Sequence, residues 1–246
     1  STDTSALSSD VVLNLPLQSN NSDYSINSYI ATDFNITYSN NSANFLGNNS
    51  YIQLPSKNLI WNDSDIHFSS YGINARIYPI TGMNTVAVLH KRREYTMFYT
   101  TSTNKISCFF NNATGDVNYA TTYVPSFNIL NTWSDIYCDC NNNTGEMRLF
   151  FNKVLANTSY LGANASGTNL CYSGNNVPYI GRLHLLTFYF NGSITNIKYI
   201  KRTLSEIEVS KLPSSNIYPY FGSKEFLYTS ISGTTLRWNR TSCEMI

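Results

Sequence analysis

Short apolar segments recur roughly every ten to fifteen residues along this chain, and Asn- and Gly-rich turns separate them. Segments of that length, rich in aromatic and β-branched residues and bounded by turn formers, read as strands. Residues 11–17 open with an apolar strand, and residues 65–79 predict a long one. Residues 85–89 and 95–100 predict a hairpin around Lys91, Arg92 and Arg93. A second hairpin joins 105–110 to 118–124 across the turn 111–116, and a third joins 133–140 to 146–152 across 141–145. No segment keeps a helical period beyond about two turns. A succession of antiparallel hairpins without helices folds as a sandwich.

The stretch after residue 175 is the most specific. Tyr179-Ile180-Gly181-Arg182 ends a strand, and Gly192 marks a turn. Ile194, Ile197 and Ile200 then alternate with polar residues, with Tyr199 beside them. Residues 204–212 read as one short helical turn closed by Pro213. Near the start, Pro16-Leu17 ends the opening strand and Asp23-Tyr24-Ser25 follows. The run from Phe45 through Gly47, Tyr51, Ile52 and Leu54 to Pro55 has the pattern of a hairpin. Trp133, Gly145, Leu149 and Phe151 punctuate the third hairpin.

Together these motifs resemble the laminin-G-like, concanavalin A-type jelly-roll family over residues 11 to 212. The resemblance implies an all-β, concanavalin A-like jelly-roll β-sandwich of two antiparallel sheets with a short helical turn near 204–211. It implies a domain over 1–212. A C-terminal extension, 213–246, is expected to pack on the sandwich or on a neighbouring subunit. There 226–232 and 235–238 read as strands around Gly233-Thr234. Three departures stand out: Leu46 and Thr195 replace family aspartates, and Asn152-Lys153 replaces the usual Asp-Gly turn.

Composition narrows the function. Charged residues are only 13% of the 246 and the net charge is +1, so there is no field to attract nucleic acid. No apolar run reaches membrane-spanning length. Eleven Asn-x-Ser/Thr sequons occur, at Asn20, Asn35, Asn40, Asn48, Asn62, Asn112, Asn142, Asn157, Asn164, Asn191 and Asn239. Asn48, Asn112, Asn142, Asn157 and Asn164 fall in expected turns, where a glycan is accommodated. The chain is therefore expected to be a secreted, extracellular glycoprotein. Five cysteines, Cys108, Cys138, Cys140, Cys171 and Cys243, are disulfide candidates, and their odd number leaves one over. Cys138 and Cys140 share one strand face. Cys108 is the expected cross-strand partner of one of them, with connectivity open.

Catalytic signals are weak. Glycosidases on such sandwiches need two close carboxylates. Glu206 and Glu208 lie in the helical turn, Asp63 and Asp65 flank Ser64, and Asp135 and Asp139 lack a Glu partner. No nucleophile elbow exists, and His67, His90 and His184 read as structural. No enzyme is expected. The resemblance leaves calcium open as a cofactor but assigns no ligands. Lys91, Arg92 and Arg93 form the densest basic cluster. They are a candidate contact for an anionic glycan, set against a solvated turn with Glu94 as neutraliser. Two classes remain. One is a structural or adhesive subunit of an extracellular coat, filament or matrix, partnered with itself in a homo-oligomer or filament. The other is a lectin-type, glycan-binding domain, calcium-dependent in one version.

Overall fold

The computed structural model of the chain describes residues 10–25, 27–55, 70–80, 85–92, 94–111, 118–160, 176–183, 188–213, 225–229 and 235–239. Fifteen of the described strands build two sheets: β1 Val11–Leu15, β2 Thr32–Phe34, β3 Thr37–Ser39, β4 Ser42–Leu46, β5 Tyr51–Gln53, β6 Ser70–Pro79, β7 Thr85–Lys91, β8 Tyr95–Thr100, β9 Lys105–Asn111, β10 Asn118–Tyr123, β11 Ser134–Asn141, β12 Glu146–Phe151, β13 Val154–Tyr160, β14 Pro178–Ile180 and β15 Asn191–Ile200. An eight-stranded sheet runs β13-β12-β11-β6-β15-β4-β3, with β1 also paired to β15. A seven-stranded sheet runs β10-β9-β8-β7-β14-β5-β2. All the pairings are antiparallel. β7 to β10 and β11 to β13 run as meanders, while crossovers place β6 between β11 and β15 and β14 between β7 and β5, as in a jelly roll. The predicted strand over 65–79 is described from Ser70 onward.

The strand period explains the core. On β8, Tyr95, Met97 and Tyr99 face inward and are buried, while Thr96, Phe98 and Thr100 face outward. Partners across the sandwich include Ile73, Ile77, Ile136 and Leu149 from the eight-stranded sheet. Each such side chain contributes about 2 kcal/mol of burial. A disulfide joins Cys108 on β9 to Cys138 on β11, with Cα atoms 6.5 Å apart. The expected cross-strand bond is thus an inter-sheet one, because β9 and β11 belong to opposite sheets. Cys140 is also disulfide-bonded, and Cys171 and Cys243 lie outside the described residues.

The spacing of Ile194, Ile197 and Ile200 is not simple alternation. Against β6, Thr195 pairs Arg76 but Lys198 pairs Asn74, so β15 carries a bulge. Asn196 takes φ 56°, its amide donates to the Pro16 carbonyl at 3.2 Å, and Asn74 Nδ2 donates to its carbonyl at 2.8 Å. After the bulge, Ile197 and Tyr199 join Ile194 in the inter-sheet core. Ile200 faces the other way.

There it meets a second core on the outer side of the eight-stranded sheet, made of Val11, Tyr137, Phe150, Ile200, Leu204, Val209 and Leu212. The short helix Glu206–Ser210 begins with a capping box between Ser205 and Glu208. Tyr137 Oη accepts from the Leu204 amide at 3.1 Å, and a Cβ on Gly72 would stand 2.1 Å from that oxygen. The glycine is what lets the ring lie across the sheet.

The chain divides into two compact units, Ser1–Asn216 and Ile217–Ile246. In the second, β16 (Glu225–Thr229) and β17 (Thr235–Asn239) pair antiparallel from Glu225 with Asn239 to Thr229 with Thr235.

Candidate functional site

The site grows from Tyr179-Ile180-Gly181-Arg182. On β14, Tyr179 pairs His90 and Gln53, and Ile180 pairs Leu89 and Ile52. Ile180 is fully buried, so Tyr179 faces outward. Regular alternation would send Gly181 outward and Arg182 inward. Gly181 instead takes φ 82°, and a Cβ on it would meet the core ring of Phe45 at 2.4 Å. Only glycine adopts this conformation at low cost and fits beside Phe45. The kink puts Arg182 on the same outer face as Tyr179.

Arg182 then sits in a corner of aromatic rings. Its Cζ is 3.8 Å from the Tyr51 ring centroid and 4.1 Å from that of Tyr179. The two rings are 5.9 Å apart and inclined at 78°. Contacts this close between a guanidinium and ring faces are cation–π contacts. Phe34 stacks on Tyr51 at 4.3 Å and 15°. Because β2 and β14 flank β5 on opposite sides, Phe34 and Arg182 flank Tyr51 from opposite sides too. The result is a row, Phe34–Tyr51–Arg182–Tyr179, across the outer face of the seven-stranded sheet. Phe34 is 36% exposed, and the other three are half-buried.

Further along this face His90 Nδ1 lies 2.8 Å from Thr96 Oγ1. Phe98 then packs edge-on against Phe109 at 5.8 Å and Phe188 at 6.4 Å. The aromatic abundance thus has two uses. Tyr71, Tyr95, Tyr99 and Tyr199 fill the space between the sheets, and the rings above line an outer surface. Burial pushes the hydroxyls of Tyr71 and Tyr95 well above their usual range, and the Tyr95 and Tyr199 hydroxyls bond each other.

The basic cluster does not present three cations together. Lys91 is the last residue of β7 and is fully buried, its Nζ 2.6 Å from Glu94 Oε1. Burial lowers the Lys91 pKa, against the pull of Glu94. Lys91 is therefore removed from the anionic-glycan contact, a correction forced by the side-chain direction at the strand end. Arg92 is exposed, and its carbonyl accepts from Asn176 Nδ2 at 3.0 Å; Arg93 lies outside the described residues.

Of the other flagged residues, Asp63, Asp65, His67 and His184 lie outside the described residues, and Glu206 is exposed. Asp135 pairs Arg76 at 3.1 Å, Asp139 pairs Arg148 at 2.5 Å, and Glu208 pairs Arg202 at 2.7 Å. Burial raises the Asp139 pKa, while Arg148 pulls it down. Thr195, at the family's Asp position, is buried and donates to the Pro16 carbonyl at 2.5 Å. Leu46 is exposed. Among the described residues no group of three or more His, Cys, Asp or Glu is placed to hold a metal ion.

Of the sequons, Asn20, Asn35, Asn40 and Asn48 are exposed in loops, and Asn142 lies in the β11–β12 turn. Asn157 is not in a turn: it lies within the edge strand β13, and its Nδ2 donates to the Thr122 carbonyl at 2.9 Å. Asn191 begins β15 opposite Leu46. Asn62, Asn112 and Asn164 fall outside the described residues, and Asn239 ends β17.

Several solved structures share this fold. The binding domain of botulinum neurotoxin serotype D/C matches with a TM-score of 0.67 and 12% identity, covering 94% of this chain and 57% of that one. A botulinum neurotoxin DC binding domain in complex with rat synaptotagmin II matches with a TM-score of 0.67 and 11% identity, over 94% and 56%. A botulinum neurotoxin type C structure, whose cell entry depends upon interaction with two ganglioside molecules, matches with a TM-score of 0.68 and 11% identity, over 91% and 55%. The chain spans a little over half the length of these chains. No curated protein sequence matches it. The laminin G-type sequence signature of the concanavalin A-like lectin/glucanases superfamily matches residues 46–210, and the chain belongs to that superfamily.

Proposed function

We propose that this module is an extracellular carbohydrate-binding domain, and that it holds its ligand on the outer face of the seven-stranded sheet. The observation that carries the reading is the row Phe34–Tyr51–Arg182–Tyr179. Aromatic faces on an open sheet surface offer flat apolar area to the C–H faces of sugar rings, with little side-chain entropy to lose. The superfamily includes lectins, and of the structural neighbours one is a complex with rat synaptotagmin II and another depends for cell entry on interaction with two ganglioside molecules. The disulfides and exposed sequons favour an oxidising compartment. No reaction is assigned, because Asp135, Asp139 and Glu208 are each engaged by an arginine.

The test is a broad glycan array probed with the native, unreduced chain, with and without chelator. Binding of a defined glycan family is expected, and Tyr179→Ala is expected to abolish it while the melting temperature is retained. An array without hits, or hits untouched by Tyr179→Ala, overturns the assignment. A second reading, a subunit of an extracellular assembly, draws on the separate unit Ile217–Ile246. It requires the full chain to sediment as an assembly and a chain lacking 217–246 to sediment as a monomer.

A further inference from the structure

Arg182 differs from the other described arginines engaged within the fold. Arg76, Arg148 and Arg202 each hold a carboxylate within 3.1 Å. The Arg182 guanidinium has no acceptor among the described residues, and its Nε is buried without a hydrogen-bond partner. Among the described residues it is held by two rings, at 3.8 and 4.1 Å. A guanidinium tolerates such a place because it is weakly hydrated and stacks on aromatic faces. The rings fix its plane and leave its donor edge unused. Asp33, beside Phe34 on β2, is occupied by Asn21 Nδ2 at 2.8 Å and Tyr38 Oη at 2.8 Å. Gln53 pairs with Tyr179 across the strands and lies on the same face, adding a neutral polar group.

Resting on the carbohydrate-binding reading, we infer that the sugar is acidic: Arg182 is a receptor for the carboxylate of a uronic-acid-type residue whose ring lies against Tyr51, Tyr179 and Phe34. A planar carboxylate matches the two-pronged donor edge of a guanidinium. A rigid cation beside sugar-sized apolar walls distinguishes an acidic sugar from its neutral counterpart, because a neutral sugar would leave the arginine's donors unpaired. This moves the anionic-sugar contact from the hairpin at Lys91 to the outer face around β14 and β5.

The test uses pairs of ligands that differ only in charge. Uronic-acid oligosaccharides, each beside its carboxyl-reduced neutral form, are titrated calorimetrically into the full unreduced chain. Sulfated neutral oligosaccharides form a third arm. The acidic member of at least one pair is expected to bind about tenfold or more tightly than its neutral form, as one charge-assisted contact supplies. Raising salt should narrow the difference. Arg182→Gln should erase the difference, and Arg182→Lys, which keeps the charge but loses the fork, should retain only part of it. Melting temperatures confirm that each variant is folded. Equal binding within every pair, discrimination that survives Arg182→Gln, or sulfated ligands binding as tightly as carboxylated ones overturns the inference and leaves sugar binding intact. Failure of every acidic and neutral oligosaccharide, together with a blank array, overturns the carbohydrate-binding reading itself.

Discussion

Gly181→Ala tests whether one backbone conformation links the core to the site. The residue has φ 82°, a region in which a side chain costs about 1–2 kcal/mol. The added Cβ would also stand 2.4 Å from Cδ1 and Cε1 of Phe45. That ring has little room to retreat: it is 2% exposed and packs edge-on against the buried Phe190 at 6.0 Å. Forcing a methyl group into such a contact costs about 1–3 kcal/mol. The sum is about 2–5 kcal/mol, a large share of the stability of an ordinary domain. Urea unfolding of the oxidised protein measures it as a lower midpoint at an unchanged slope. Phe45→Leu in the same background should return part of the steric component. A double-mutant cycle should then show coupling of about 1–3 kcal/mol, with the backbone component remaining. The kink also aims Arg182, so Gly181→Ala should weaken sugar binding under conditions where the variant is fully folded. A single-variant loss under about 0.5 kcal/mol, or strict additivity in the cycle, would refute the reasoning.

Removing the inter-sheet disulfide with Cys108→Ala and Cys138→Ala opens a 30-residue sequence separation and should cost about 3.5 kcal/mol by chain entropy, read as a drop in urea midpoint. Glu94→Gln leaves the buried Lys91 ammonium without its counter-charge and should cost about 3–5 kcal/mol, whereas the double change Lys91→Met with Glu94→Gln should cost much less. Hydrogen bonding from Arg202 holds the Glu208 carboxyl down at about 2, below its usual 4.5. Its stabilising contribution is therefore complete above about pH 4.5 and is lost as pH falls toward 2; because the carboxylate is partly exposed, about 1 kcal/mol is expected. Melting curves across that range should lose this acid-dependent step in Glu208→Gln.

The elements legible in the sequence were those written in local pattern. The pairings β7–β8, β9–β10 and β11–β12 follow from alternation on either side of Asn- and Gly-rich turns. The short helical turn closed by Pro213 was legible as well, and it holds the helix Glu206–Ser210. What depends on distant contacts was not legible. Tyr51 and Arg182 meet only because β5 and β14 are neighbours. The one local signal was a glycine inside a strand pattern, which breaks alternation and brings Tyr179 and Arg182 to one face. Lys91 read as a hairpin-tip cation because residue type does not reveal which way a strand's last side chain points. Asn157 read as a turn because a polar edge strand has the composition of a loop.

The two outer faces of the sandwich argue for where a ligand goes. On the eight-stranded sheet, Leu204, Val209 and Leu212 cover Tyr137 and Phe150, and Arg148 donates to Asp139 and, at 2.7 Å, to the Leu204 carbonyl. Lifting that segment would expose three apolar side chains, each at about 1.5–3 kcal/mol, before any ligand contact formed. The total approaches the roughly 8 kcal/mol of a micromolar complex, so binding there would be largely cancelled. The seven-stranded sheet demands no such opening. Phe34 and Phe188 are already more than a third exposed on it, and the Arg182 guanidinium has no acceptor among the described residues. A ligand on that face would gain its contacts without displacing a described segment of this kind. Among the described residues, the segment 204–212 thus closes one outer face, and the proposed ligand is placed on the other.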